Sequence, residues 1–395
     1  MRVLIVTKIF PNSVEPLSSP FNRQQFAALS RLCEVELLAT IPWFPGASML
    51  GRWSAAGRLC SVPSQEQIDG LRVRHPRFAF VPKLGHAFSG PLYAASLAST
   101  ILPYRGRVDV VLGAWGYPDG FASVVIADLL GVPAVIKLHG SDIDVLASWP
   151  APRRRLRWAL GRARRVIAVS RALGDKAIKL GTSPERLDIV PNGIDRRSFR
   201  VGDRDSARAL LGLPVERPLV LYVGHLSEDK GVLDLLKAFK LAAPRLGGAH
   251  LVLVGDGAGA SKCRTLAREL AVPATFVGAQ PQSAIPTWLT ACDLLSLPSR
   301  HEGMPNVVLE ALACGRPVVA SDVGGIPEVV TENMGALVPP QDPVALARAL
   351  ACVLDEPHDA AAISSALARP SWTGSARLVH ASLLRALGGV AREAA

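Results

Sequence analysis

Charged and aromatic residues are scarce in this chain, and cysteines are few. Only 19% of the 395 residues are charged and 6% are aromatic, whereas 49% are hydrophobic. The six cysteines are scattered, with no Cys-x-x-Cys pair and no histidine at a metal-ligand spacing, which disfavours a zinc site or a disulfide framework. We therefore expect reduced, mostly packed thiols, as in a cytosolic protein. The length and the apolar content predict two domains with sizeable cores.

Long hydrophobic runs are also missing. Gly, Pro or a charge interrupts each apolar stretch before it reaches the roughly 18 to 20 residues that a membrane span needs. The N-terminal MRVLIVTKIFP is broken by Lys8 and Pro11, which is typical of a first β-strand rather than a signal peptide. We expect a cytoplasmic protein, either soluble or attached peripherally to the inner face of the plasma membrane.

Positive charge is in excess, and it is local. The formal net charge is +11, and nearly all of it lies before Asp195. The excess is densest in a helix-compatible segment that contains Arg153, Arg154, Arg155, Arg157, Arg162, Arg164 and Arg165. Two interpretations stay open: a contact with an anionic membrane surface through Arg153, Arg154, Arg155, Arg157 and Arg162, or an ordinary solvated helix face. Nucleic acid is not expected, because no aromatic and basic platform accompanies the arginines.

Short β-branched or Leu-rich runs alternate with longer amphipathic segments, a pattern typical of βαβ units in a parallel sheet. Strands are predicted at residues 2–9, 35–40, 108–113, 134–138, 165–170 and 187–190, and then at 219–223, 250–254, 275–277, 294–297, 317–320 and 335–338. Helices are predicted at residues 22–32, 120–130 and 375–387, among others.

The pattern breaks at Pro-Asn-Gly-Ile-Asp, residues 191–195, where proline and the turn-prone Asn-Gly pair end a strand. We expect one domain at residues 1–195, joined by the final segment 371–395, and a second at residues 196–370. Two such sheets facing one another leave a cleft at the carboxyl ends of their strands, where ligands bind in open α/β folds.

The most informative segment is SRHEGMPNVVLEALACGRPVVASDVGGIPEVV, which begins at residue 299. Glu302 lies in a loop after a strand, Pro305 occupies a helix start, and Glu310 lies about one turn inside that helix. Amides near Asn306 and Val307 are expected to form an anion site. Two carboxylates so placed can accept hydrogen bonds from the hydroxyls of one ligand while the helix start takes its phosphate.

Glu302 and Glu310 match the E-x7-E motif of the retaining glycosyltransferases called family 4 or group 1, and the flanking residues match as well. The resemblance implies a GT-B fold, in which two Rossmann-like α/β domains have parallel sheets facing across a cleft. It implies that the first domain binds the acceptor and the second binds the nucleotide sugar. Glu302 would contact the donor sugar and Glu310 the ribose. Further donor contacts would come from Gly303, Met304, Pro305, Asn306 and Val307.

A second element, LVLYVGHLSEDKG, is a strand followed by a loop and a helix start. Lys230 of this loop is placed to neutralise charge on a leaving diphosphate. By resemblance, Gly224 and the residue after it also contact the donor. The family usually has Arg at that second position and this chain has His225, which would weaken one phosphate contact.

A third element, VIKLHGSD, is a buried strand running into a loop. By resemblance, His139 at its end lies beside the transferred sugar. Asp142 and Asp144 spell the Asp-x-Asp of metal-dependent transferases, but they lie at a predicted helix start, where aspartates act as caps, and we predict no metal site there. Gly255 and Val277, again by resemblance, shape the nucleotide pocket and the base site.

The resemblance predicts a metal-independent hexosyltransferase that acts with retention and without a cofactor. Its co-substrate would be a nucleotide sugar, with a UDP-sugar favoured over a GDP-sugar. Its acceptor would be a glycan or a lipid-linked molecule of bacterial envelope, exopolysaccharide or glycolipid synthesis. Two alternatives stay open: an isomerase of the nucleotide-sugar 2-epimerase kind on the same fold, and a non-catalytic subunit that binds the nucleotide sugar.

Overall fold

Strands and helices alternate along most of the chain, in the order that the apolar periodicity predicts. The computed structural model describes residues 1–80, 85–144 and 148–388. Within those ranges the chain divides into two compact α/β units, one of residues 1–193 with 372–388 and one of residues 194–371. No helix in the described ranges has both the length and the apolar content that crossing a membrane would require.

Most of the central strands are short runs of buried Val, Leu, Ile and Ala, the composition of parallel sheets that are covered on both faces. The strands are β1 Arg2–Thr7, β2 Glu34–Ala39, β3 Ile41–Trp43, β4 Gln65–Ile68, β5 Leu71–Arg74, β6 Arg77–Ala79, β7 Val110–Gly113, β8 Ala134–Leu138, β9 Arg165–Ala168, β10 Leu187–Ile189, β11 Leu219–Val223, β12 His250–Val254, β13 Ala274–Gly278, β14 Leu294–Leu297, β15 Val318–Ser321 and β16 Gly335–Val338.

Helices connect these strands, and several begin at capping residues. The helices are α1 Pro20–Leu29, α2 Ala55–Arg58, α3 Gly85–Ile101, α4 Phe121–Leu130, α5 Ser141–Asp144, α6 Pro150–Arg162, α7 Arg171–Lys179, α8 Arg204–Leu211, α9 Val232–Ala242, α10 Ala260–Glu269, α11 Ile285–Ala291, α12 Asn306–Ala313, α13 Pro343–Asp355, α14 Ala360–Ala366 and α15 Trp372–Gly388. Ser170 caps α7 by accepting a hydrogen bond from the Leu173 amide, and Asp342 caps α13 in the same manner.

The sheet of the first unit has the strand order β10-β9-β8-β7-β1-β2-β5-β4 in the described residues. Its core joins strand residues to apolar residues of α1 and α15. The Gln25 side chain of α1 donates a 2.8 Å hydrogen bond to the Ser375 hydroxyl of α15, which donates over 2.7 Å to the Pro191 carbonyl. The last helix therefore packs on the first unit, although it follows the second unit in the chain.

The sheet of the second unit has the order β13-β12-β11-β14-β15-β16, and its neighbouring strands are all parallel in the described residues. In each sheet the strand order reverses beside the unit's first strand, between β1 and β7 and between β11 and β14. Open α/β sheets bind ligands at the carboxyl ends of the strands that flank such a reversal. The topology therefore marks one candidate position in each unit.

The main difference from expectation lies in residues 41–79, where the apolar runs predict no strand. This segment forms β3 to β6, of which β3 and β6 pair in a separate two-stranded sheet. β4 pairs with β5 in antiparallel fashion at the edge of the large sheet. Apolar and polar residues alternate in β5, as in a strand with one solvent-facing side, and such short strands lack the continuous apolar run of a strand buried on both faces.

Candidate functional site

The reversal in the second unit brings two of the sequence-predicted residues together. Lys230 follows β11 in a short helical turn, Glu228–Lys230, and Glu302 lies in the loop after β14. The Lys230 ammonium is 2.7 Å from the Glu302 Oε1, and the two side chains are 31% and 9% exposed. A largely enclosed ion pair at the carboxyl ends of parallel strands has the position expected of a ligand site.

Backbone contacts hold these two loops against each other. The Arg300 amide donates to the Asp229 carbonyl over 2.8 Å. Gly231 has a φ of 67°, and a Cβ at this position would lie 1.9 Å from the Pro298 carbonyl oxygen. Because glycine alone tolerates both this conformation and this approach, it is part of what places the lysine beside the carboxylate.

A second glycine supports the carboxylate loop from the neighbouring strand β15. Gly324 has a φ of 57°, and a Cβ there would lie 1.9 Å from the Glu302 carbonyl oxygen. The next amide, that of Gly325, donates to the Gly303 carbonyl over 2.8 Å. The loop that carries Glu302 is thus held from the ends of both strands that flank β14.

Glu310 lies in the second turn of α12, and Pro305 immediately precedes this helix, as the sequence predicts. The Gln282 side-chain amide donates a 2.8 Å hydrogen bond to the Glu310 Oε1. Burial raises the pKa of Glu310 to about 7, and the hydrogen bond from Gln282 opposes that shift in part. Glu310 is therefore a group that exchanges a proton near neutral pH.

The start of α12 lies in the same loop region as Glu302. Gly303, Met304 and Pro305 are buried, whereas Asn306 and Val307 are partly exposed. The first turn of a helix has amides without partners inside the helix, and its dipole favours an anion there. This arrangement is compatible with the predicted phosphate site.

His225 follows β11 and is exposed to solvent. Its Nδ1 lies 3.3 Å from the Asp256 carbonyl oxygen, and its own carbonyl accepts a 2.7 Å hydrogen bond from the buried Tyr222 hydroxyl. The imidazole is thus at the surface of the loop with one contact to the backbone, whereas the bond from Tyr222 holds the main chain of His225.

Gly224, Gly255 and Val277 lie at the carboxyl ends of β11, β12 and β13. The Gly224 amide donates to the Val254 carbonyl over 3.0 Å, and the Gly255 amide donates to the Gly278 carbonyl over 2.8 Å. These bonds join three neighbouring strand ends into one edge, beside the Lys230 turn.

In the first unit, His139 directly follows β8 and packs against two aromatic rings. The centroid of its imidazole is 4.9 Å from that of Phe21 and 5.9 Å from that of Trp115. Its Nε2 has no hydrogen-bond partner among the described residues. Burial first, and then the charge of Lys137, hold the pKa of His139 well below its usual range, so the imidazole is neutral at physiological pH.

Lys137 is fully buried two residues before His139, and its ammonium donates to the Gln25 side chain. Burial lowers the pKa of Lys137 to about 7, and the nearby Asp142 carboxylate opposes that shift. The Gln25 side-chain amide in turn donates a hydrogen bond to Ser375, so a continuous series of hydrogen bonds joins β8, α1 and α15.

The Asp-x-Asp pattern is occupied by structural contacts. Asp142 accepts hydrogen bonds from the amides of Gly116 and Gly140, over 2.8 and 2.7 Å, and Asp144 pairs with Lys176. Asp142 lies inside α5 and accepts from amides that precede this helix, those of His139 and Gly140, rather than from the first-turn amides that an N-cap residue would bind. Nowhere in the described chain do three His, Cys, Asp or Glu residues come together in a metal-binding group.

Five of the seven arginines of the basic segment lie on one helix, α6, whereas Arg164 follows this helix and Arg165 begins β9. Helix α6 contains Arg153, Arg154, Arg155, Arg157 and Arg162. Arg162 forms a 3.0 Å ion pair with Asp128 of α4, and its guanidinium lies over the Trp158 ring at 5.4 Å.

Four contributors to the site in the second unit were not predicted from the sequence: Gly231, Gln282, Arg300 and Gly324. Gly324 lies in a Gly-Gly pair within the segment that carries Glu302, and this pair could have been used to predict a left-handed backbone conformation there. Gln282 and Arg300 act through contacts with residues distant in sequence, for which no local pattern exists.

Two family models match the chain. Glycosyltransferase Family 4 matches residues 28–198, and Glycosyl transferases group 1 matches residues 203–368. A putative teichuronic acid biosynthesis glycosyltransferase of Bacillus subtilis (strain 168) is 30% identical over 355 residues, which is 89% of this chain and 88% of the relative. A D-inositol 3-phosphate glycosyltransferase of Catenulispora acidiphila is 31% identical over 325 residues, 77% of each chain.

Solved structures show the same architecture. Anabaena HepE in complex with UDP superimposes with a TM-score of 0.72 at 21% identity, over 97% of this chain and all of that chain. Sucrose-phosphate synthase from Thermosynechococcus elongatus superimposes with a TM-score of 0.71 at 21% identity, over all of this chain and 99% of its own. The fold is GT-B, which confirms the predicted fold class.

Together, the matched sequence and the two α/β units, each built on a largely parallel sheet, define a glycosyltransferase enzyme. The chain belongs to the group 1 glycosyl transferases, also called family 4, as its E-x7-E motif predicts.

Proposed function

We propose that this glycosyltransferase moves a sugar from a nucleotide-diphosphate sugar to an acceptor hydroxyl with retention of the anomeric configuration. The observation that carries the proposal is the Lys230–Glu302 pair, 2.7 Å apart, at the strand-order reversal of the second unit. A UDP-sugar is favoured as donor, because HepE, which has the same fold, has been crystallised with UDP and with UDP and glucose.

In the proposed step, the bond between the anomeric carbon and the phosphate oxygen breaks, and the diphosphate leaves with the bonding electrons. The acceptor oxygen bonds to the anomeric carbon, and its proton passes to an oxygen of the departing diphosphate. Lys230 would neutralise the charge that grows on the diphosphate, and the amides at the start of α12 would act on the same group. Since these groups supply the positive potential, we propose catalysis that is independent of a metal ion.

The two carboxylates and the histidine would bind the sugars. Glu302 would accept hydrogen bonds from the transferred sugar and Glu310 from the ribose. His139 would lie beside the transferred sugar, and its neutral imidazole adds no charge that would oppose the positive charge developing on the ring. The remaining donor contacts in this proposal are Gly224, His225, Gly255, Val277, Gly303, Met304, Pro305, Asn306 and Val307.

Donor choice and stereochemistry can be measured on the purified protein. We expect UDP-sugars to raise the melting temperature more than GDP- or ADP-sugars, since a bound ligand stabilises the folded state. With an acceptor that the enzyme uses, NMR of the product should show the same anomeric configuration as the donor. Addition of EDTA should leave the rate of transfer unchanged. An inverted product would contradict retention, and conversion of a UDP-sugar without any acceptor would indicate an isomerase instead.

We also propose that the acceptor belongs to bacterial envelope, exopolysaccharide or glycolipid synthesis and is presented at the inner face of the plasma membrane. The name of the Bacillus subtilis relative, which assigns it to teichuronic acid biosynthesis, supports the first part. The arginines of α6 support the second, because anionic lipids attract such clusters.

Donor affinity is expected to weaken as the pH falls below about 7. Burial raises the pKa of Glu310 to about 7, and below that pH the carboxyl is protonated and loses its capacity to accept bonds from both ribose hydroxyls. Affinity should then be constant above about pH 7 and fall by up to about tenfold per pH unit below it. Calorimetric titration with UDP-glucose from about pH 5 to about pH 8 measures this.

A UDP-sugar suits this titration because its diphosphate, esterified at both ends, does not ionise in the range. Glu310→Gln should bind more weakly at pH 8 and show a flat profile. A wild-type affinity that is constant down to about pH 5 would exclude an ionised Glu310 from the ribose site.

A further inference from the structure

An apolar groove lies on the first unit between α4 and α6, outside the sites described above. Its volume is about 760 Å³, within the range of roughly 300 to 1,000 Å³ of small-molecule pockets. Phe121, Val125, Pro150, Ala151 and Trp158 form its apolar lining. The rings of Phe121 and Trp158 pack with centroids 5.1 Å apart, and Trp158 remains 41% exposed.

Two arginines complete the lining of this groove, Arg154 and Arg155. Arg154 is exposed, and Arg155 is half-buried with a guanidinium nitrogen 3.5 Å from the Tyr117 hydroxyl. In the part of the chain that the structure describes, neither forms an ion pair with an acidic side chain. Two guanidinium groups without an acidic partner, beside an apolar groove, are complementary to a ligand with an anionic head group and a hydrocarbon chain.

The helical repeat separates these arginines from others on α6. Residues 151, 154, 155 and 158 share one side of the helix, at spacings of three and four. Arg153 and Arg157 share another side, and Arg157 lies against Gly181 rather than the groove. Arg162 is already paired with Asp128. Charge on α6 is therefore divided between a groove-lining pair and a pair of equal charge that does not line the groove.

We propose that this groove binds one molecule of an anionic membrane lipid, with part of its hydrocarbon chain along Phe121, Val125 and Trp158 and its phosphate between Arg154 and Arg155. The inference rests on the proposed membrane-presented acceptor and deepens it. A diffuse attraction to a charged surface depends on the number of arginines, at about fivefold in affinity per residue. Affinity for a lipid bound in the groove depends instead on which arginines are present.

The first test compares two double variants with the same loss of charge. Arg154→Gln with Arg155→Gln should weaken binding to phosphatidylglycerol vesicles by about 10²-fold in a flotation assay. Arg153→Gln with Arg157→Gln should weaken it by less than the roughly 25-fold that a purely diffuse attraction predicts for two lost arginines. Phosphatidylcholine vesicles should bind neither variant nor the wild type. Equal losses of affinity in the two double variants would mean that surface charge alone explains binding, and this result would overturn the proposed lipid site.

The second test uses lipid below the concentration at which it forms micelles, so that no surface exists. Monomeric dihexanoyl phosphatidylglycerol should quench or shift the fluorescence of Trp158 in a saturable manner, and the signal should vanish in Trp158→Phe. Dihexanoyl phosphatidylcholine and glycerol phosphate should give no such signal. Equal binding of glycerol phosphate would make this a site for a free anion, and equal binding of phosphatidylcholine would remove the role of the arginines; either result overturns the proposal.

Calorimetry with a UDP-sugar on the same wild-type protein separates this inference from the proposed function. If the UDP-sugar does not bind while the lipid pattern holds, the donor assignment fails and the groove stands. If the UDP-sugar binds and monomeric phosphatidylglycerol does not, the groove fails alone.

Discussion

Lys230→Ala is expected to lower kcat/KM for a UDP-sugar by about 10²- to 10³-fold, the loss that follows removal of one group stabilising a developing anion. The Lys230 ammonium, 2.7 Å from Glu302 and only partly exposed, acts in surroundings where charge is weakly screened. Steady-state rates with saturating acceptor measure the effect. A matched control is Lys240→Ala, which removes an exposed lysine of α9 in the same unit and should change the rate by less than about twofold.

The two partners are expected to couple. Glu302→Gln should also lower turnover by about 10²-fold, and the double variant should lose less than the product of the single losses, because either change already breaks the pair. Retention of near wild-type turnover by both single variants would refute the donor site. Strictly multiplicative losses would show that the two side chains act independently.

Gly324→Ala is expected to lower turnover by on the order of 10²-fold while the protein remains folded. The new Cβ would lie 1.9 Å from the Glu302 carbonyl oxygen, far inside contact distance, so the loop must move. A displacement of about 1 Å at a reacting group can cost about 10²-fold in rate. Turnover and circular dichroism on the same preparation separate a misplaced carboxylate from an unfolded domain.

Gly212→Ala is the matched control for this prediction. Gly212 ends α8 with a φ of 65°, close to that of Gly324, but a Cβ there meets no atom within 4 Å. This variant carries the strain of a left-handed alanine, roughly 1–2 kcal/mol, without the clash. Its melting temperature should fall, while its turnover rate should stay that of the wild type. Equal loss of turnover in the two variants would assign the effect to strain and remove the positioning role of Gly324.

The central strands of both units were predictable because each is a short apolar run buried on both faces. The bounds of β8, β11, β12, β14 and β16 agree with the prediction to the residue. Strands β3 to β6 were not predicted, since they are short, partly polar and near an edge. Their existence depends on pairing with strands elsewhere in the chain, which a local pattern does not encode.

The site shows the same division. Lys230, Glu302 and Glu310 were identified from spacing and from the family motif, but that motif says nothing of the 2.7 Å contact between the first two. The Gln282 amide, which holds Glu310, follows β13 and comes from a different loop. Likewise, the arginines of α6 were visible as a charge cluster. Their division between a groove and another helix side required the position of α4.

The amino-acid order alone was enough to predict the central strands, a division of the chain at residue 195, and the family whose motif the chain carries. These follow from local periodicity and from residues close together in sequence. Tertiary structure decided which strands are neighbours, and therefore which loops are in contact. It places the Lys230 turn and Gly324 against the loop that carries Glu302, and it places the Gln282 side chain within hydrogen-bond distance of Glu310. Such contacts join residues as many as 72 positions apart, and their geometry and the pKa values they set arise only when burial brings those residues together.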